Sequence, residues 1–218
     1  MFKAAVLLAS VAVALAQNQP QITCDGSKMK ACTIGLANLW GLPPANLDNF
    51  WTDRGVFEAT LRTVYNGAKL ENYVKVCNGI SLFYHCNGRE NNRFCLGISG
   101  LTNTKMNAFD AYQMEGILNR IRFECGDAFY AVTGYADAIS CIITTKINYD
   151  AIQHDTYANI CPNAVNFVQN VSSVFNNKGP CKEVADPAVR RTASWFGCEG
   201  ARQHVLAQYK HCANVLKC

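Results

Sequence analysis

The chain has 218 residues, half of them hydrophobic, with 20 basic and 16 acidic residues and a formal charge of +4. An excess so mild and so interspersed gives no reason to invoke nucleic acid as a partner. The length suffices for one well-buried core or for two small ones side by side.

Residues 1–16 read as a cleavable signal peptide. Lys3 supplies a positive start, an apolar run extends from Ala4 to Ala16, and Ala14-Leu15-Ala16 is the small-x-small pattern that signal peptidase accepts. The run spans 13 residues, whereas a membrane-crossing helix needs roughly 20. That argues against a retained N-terminal anchor. Polar Gln17-Asn18-Gln19 and then Pro20 suit an accessible cleavage site, so the mature chain is expected to begin at Gln17. Loss of Lys3 with the leader lowers the formal charge from +4 to +3. No later stretch is both long and uncharged, so no membrane span is expected in the mature chain.

Twelve cysteines follow the leader: Cys24, Cys32, Cys77, Cys86, Cys95, Cys125, Cys141, Cys161, Cys181, Cys198, Cys212 and Cys218. An even count in an oxidising compartment predicts six disulfides, with connectivity left open. A zinc site would need C-x2-C pairs or a short Cys/His cluster. The closest cysteines, Cys212 and Cys218, have five residues between them.

The patterning is helical almost throughout. From Asp48 to Tyr65, Phe50, Phe57, Leu61 and Val64 share a face, and Asn66-Gly67 supplies a stop. A short segment with Leu70, Tyr73, Val74 and Cys77 ends at Asn78-Gly79. Between Ser81 and Leu101, Asn87-Gly88, Asn91-Asn92 and Ser99-Gly100 predict loops pinned by Cys86 and Cys95. A helix is expected from a cap at Thr104 to Glu124, with Met106, Phe109, Ile117 and Ile121 inward. Cys125, Phe129, Val132, Ala136, Ile139 and Ile143 then form an unbroken stripe. Ser140 to Ile147 is the only β-rich run, and the stripe favours helix there. Pro162 opens a helix that buries Val165, Val168 and Phe175. Asp186-Pro187 starts another, short helix ending at Gly197, and Val205, Tyr209, Cys212 and Leu216 stripe a last one. One domain over 17–218 is expected, with a subdomain break, if any, near 96–103.

Few residues suggest chemistry. Asn170-Val171-Ser172 is an N-glycosylation acceptor, and Asn170 sits about 200° around the helix from Val168, on the outside. His204 and His211 are seven apart and could share a helical face, but no carboxylate joins them at a metal-site spacing, and surface or half-buried roles suit them and His85 better. Gly97-Ile98-Ser99-Gly100 falls short of a nucleophile elbow and lacks the strand before it. His154-Asp155 lacks the neighbouring cysteines of a secreted phospholipase. Glu115, Glu124 and Asp127, with Arg120 and Arg122, read as a solvated face, as do Arg190, Arg191 and Arg202. The aromatics Tyr65, Tyr73, Phe83, Tyr84, Phe94, Phe129 and Tyr130 are explained by core packing, although a braced helical shell could also enclose a lipid. The C-x3-C step of insect odorant-binding proteins is missing.

The segments Phe123-Glu124-Cys125-Gly126-Asp127-Ala128-Phe129-Tyr130 and Tyr157-Ala158-Asn159-Ile160-Cys161-Pro162, with the spread-out single cysteines, resemble the secreted cysteine-rich families of nematodes. The nearest is the chondroitin-proteoglycan-4 type, and the domain-of-unknown-function-19 type is a second choice. The resemblance covers residues 77 to 218 and implies an extracellular, non-enzymatic protein, with chondroitin attached in some members. Here Ser99-Gly100 is the only Ser-Gly and its neighbours are apolar or neutral, so no glycosaminoglycan is expected.

The sequence therefore predicts an all-α, disulfide-stapled domain of roughly six to eight helices with a loop-rich N-terminal part. It is expected to be a secreted structural or interaction protein, without catalytic, cofactor or metal site, that meets an extracellular protein or glycan. The alternative is an extracellular carrier of a small apolar ligand or lipid, and an enzyme of unrecognised type is the third reading.

Overall fold

A computed structural model describes residues 23–67, 69–151 and 159–218. The leader 1–16, its cleavage point at Gln17, and His154-Asp155 lie outside the described residues. Among the described residues the protein is all-α and carries six disulfides, with ten α-helices and no strand.

The N-terminal part is helical where loops were expected. Helix α1 (Gly26–Trp40) starts on Asp25, whose Oδ1 accepts from the Lys28 amide at 3.0 Å, and stops at Gly41, in the left-handed region at φ 70°. Asp53 caps α2 (Arg54–Val64) in the same way. Phe50 lies before that helix, in a turn, yet is fully buried: Phe50, Trp51, Phe57 and Phe83 stack in an aromatic core.

Helix α3 (Leu70–Asn87) runs straight through Asn78-Gly79. The reason is tertiary. A Cβ on Gly79 would lie 2.2 Å from Trp40 Nε1, so the glycine admits the α1 crossing instead of ending the helix. The expected loop at 81–101 is likewise helix, in α3, α4 (Arg89–Leu96) and α5 (Ile98–Asn103), with a break at Gly88, φ 78°. Its asparagines work as hooks: Asn91 Nδ2 donates to Asp25 O (3.0 Å) and Asn92 Nδ2 to Tyr84 O (2.9 Å).

Helix α6 (Ala108–Cys125) is capped by Asn107, which accepts from the Asp110 amide at 2.9 Å, and not by Thr104. The stripe that follows is not one helix. It breaks at Gly126 and at Gly134-Tyr135 into α7 (Asp127–Thr133) and α8 (Ala136–Thr144). After a 3₁₀ turn at Tyr149–Ala151 come α9 (Ile160–Ser173) and a π-helical turn at Val174–Lys178 that buries Phe175. Helix α10 (Pro187–Gln208) starts at Asp186 as expected but passes through Gly197 to Gln208. Beyond it the stripe residues Cys212 and Leu216 lie in a 3₁₀ turn and a tail, and Arg202 Nε donates to Leu216 O at 3.0 Å.

Two apolar cores result. One gathers α1, α2, most of α3, α4, α5 and the inner face of α6; the other gathers α7, α8, α9 and α10 with Tyr73 and Cys77 of α3 and Phe123 of α6. Cys24–Cys95 and Cys32–Cys86 brace the first core. Cys141–Cys181, Cys161–Cys212 and Cys198–Cys218 brace the second, and Cys77–Cys125 ties α3 to the end of α6. Each bridge can stabilise the fold by roughly 2–4 kcal/mol through its effect on the unfolded chain. No described helix is long and apolar enough to cross a membrane.

Candidate functional site

A cleft of about 630 Å³ opens between the two cores, within the roughly 300–1,000 Å³ that small-molecule sites occupy. Leu61 reaches it from the first core, Tyr65 packs against both cores, and Tyr73, Ile142, Ile143, Ile147, Phe175 and Phe196 come from the second. A Cβ on Gly197 would lie 2.1 Å from the Phe175 ring, so this glycine sets how closely that wall packs on α10.

One wall is polar and comes from α6. Arg120 and Glu124, one turn apart, face each other at 3.6 Å (Nε to Oε1). The Arg120 guanidinium lies 4.4 Å from the centre of the Tyr149 ring, and the Tyr73 hydroxyl donates to the Glu124 carbonyl. Arg120 and Glu124 form an ion pair, although the buried Arg120 Nε makes no hydrogen bond. Burial pushes the Glu124 carboxyl above the usual glutamate range, with Arg120 opposing it. Burial also works against the Arg120 cation, but Tyr149 and Glu124 outweigh it and keep the guanidinium charged. The phenols of Tyr65, Tyr73 and Tyr149 are all pushed up, chiefly by burial, and stay protonated. The wall is therefore a charge-paired set. The expectation that Arg120 and Glu124 lie on a solvated face is overturned: Glu124 is buried, because α6 is covered by both cores.

A second cleft of about 360 Å³ adjoins the first and shares Glu58, Arg62, Lys146, Ile147 and Tyr149 with it. A third, of about 940 Å³, lies across α3, α4 and α6. Its wall carries Arg89, Glu90, Arg93, Glu115 and Arg122, with little beyond Tyr84, Leu96 and Leu118 to desolvate an apolar ligand.

The other sequence candidates do not assemble into a site. His204 is completely buried, its Nε2 2.9 Å from Gln113 Oε1 and its ring beside Tyr149, whereas His211 is exposed beyond the end of α10. They do not share a helical face. Cys161, Cys212 and His211 cluster within 4.8 Å, but both sulfurs are joined in one disulfide, which removes the thiolates a metal would need. Arg190 and Arg202 are not a solvated patch: they donate to the Val184 and Leu216 carbonyls at 2.6 and 3.0 Å and tie down the segments flanking α10. Ser99 is exposed on α5. Asn170 is exposed on α9, on the outside as its register requires.

The sequence reading missed the cleft. An Arg and a Glu four residues apart look the same on a buried face as on a solvated one, and Tyr149 lies in a segment without periodicity. Only the Tyr65 and Tyr73 aromatics gave a signal. No protein-family model matches the chain, and neither does any curated protein or solved structure.

Proposed function

We propose that the protein is a secreted, non-catalytic carrier that holds a small, largely apolar ligand in the cleft between its two cores. The observation that carries this reading is the amphipathic lining: five apolar side chains of the second core face a charge-paired polar wall on α6. Such a lining can desolvate a ligand without stranding a charge. The cleft thus favours the carrier over the surface-interaction reading, for which the exposed Ile34, Leu39, Leu82, Phe109 and Tyr130 are dispersed across several helices. Secretion is supported by the leader and by the twelve bonded cysteines, which suit an oxidising compartment.

The test is a titration with an uncharged, environment-sensitive dye such as Nile red. The wild-type protein should give saturable emission at one site, and Ile143→Trp, which fills the cleft, should abolish it while circular dichroism is unchanged. Equal binding by both proteins, or none by either, contradicts the carrier.

A further inference from the structure

The two adjoining clefts share a mouth whose charge is not balanced. Among the described residues, the first cleft is lined by three cations, Arg62, Arg120 and Lys146, against two carboxylates, Glu58 and Glu124. Both carboxylates are already engaged, Glu58 by Arg62 at 3.3 Å and Glu124 by Arg120 at 3.6 Å. Lys146 is exposed and has no acidic partner among the described residues. It lines the same cleft as Ile143 and Ile147. A net positive mouth with low-dielectric walls concentrates anions, and an ammonium at the edge of hydrocarbon is where a chain ending in an anionic head would lie.

We infer that the ligand is an amphipathic anion, a single-chain carboxylate, with its head at Lys146 and Arg62 and its chain along Ile143 and Ile147 toward Phe175 and Phe196. This rests on the carrier reading and specifies its cargo. Arg120 is engaged by Glu124 at 3.6 Å, so selectivity for the anion resides at Lys146.

The test compares dodecanoate with dodecan-1-ol, which has the same chain and no charge, as displacers of Nile red from the delipidated full-length secreted protein. Dodecanoate should bind about fivefold or more tightly at low salt, and raising the ionic strength should narrow the gap. Lys146→Ala should narrow the gap between acid and alcohol, while Lys146→Glu should reverse the preference. Equal binding of acid and alcohol to the wild type overturns the inference and leaves the carrier standing. If neither displaces the dye, or the dye itself does not bind, the carrier reading fails and the inference with it.

Discussion

Gly116 of α6 lies directly beneath His204 of α10: a Cβ at position 116 would come within 2.7 Å of the imidazole Nδ1 and 2.8 Å of the His204 carbonyl oxygen. The two longest helices of the C-terminal half approach closely there because one residue has no side chain, and the cleft between the cores is framed by that crossing.

Gly116→Ala is therefore expected to destabilise the fold by about 1–3 kcal/mol, as overpacking of a tight contact does. Gly35, inside α1, has nothing within 4 Å of its would-be Cβ. Gly35→Ala should stabilise by about 0.5–1 kcal/mol through helix propensity alone. Denaturant unfolding of the two variants gives the comparison, and a Gly116→Ala protein as stable as wild type would refute the crossing.

The Cys77–Cys125 bridge holds α3 against the end of α6, where the two cores meet. Replacing both cysteines with alanine should cost about 2–5 kcal/mol and leave the other five bridges intact. Peptide mapping without reduction checks the pairing, and any peptide linking Cys125 to Cys141 would contradict the fold.

The buried pair predicts a pH signature. Burial holds the folded Glu124 carboxyl above its ordinary value of 4.5. The associated stability is fully present below pH 4.5 and is lost as the pH climbs through the folded value. Glu124→Gln, neutral throughout, should lack this component, so wild type should lose ground to the variant between pH 4.5 and pH 8. Arg120→Met strands the carboxylate and should cost about 3–5 kcal/mol at pH 8, and less at pH 4.5. Unfolding curves for wild type and Glu124→Gln that run parallel across this range would show that Glu124 is solvated.

Secretion predicts a mature chain beginning at Gln17, with the twelve thiol hydrogens lost to disulfides. A glycan removable by peptide N-glycosidase is expected at Asn170, which is exposed on α9. The intact mass of protein secreted from a eukaryotic host reads all three, and a chain that begins at Met1 would contradict the leader.

Fold class was legible in the sequence because its signals are local. The apolar spacing of Phe57, Leu61 and Val64 marks α2, and Asp186-Pro187 marks the start of α10. The glycines misled because their role is tertiary. Gly79 and Gly197 read as helix stops, yet they admit Trp40 and Phe175 against unbroken helices. The cleft was hidden for the same reason. Arg120 and Tyr149 are 29 positions apart, and no spacing rule connects them; their meeting is decided by how the second core closes over α6.

The most direct test of the carrier is native mass spectrometry of the secreted protein, repeated under denaturing conditions. The account predicts a non-covalent adduct at a ratio of one per chain that vanishes on denaturation and is absent from Ile143→Trp. A bare protein, still bare after incubation with dodecanoate, would contradict it.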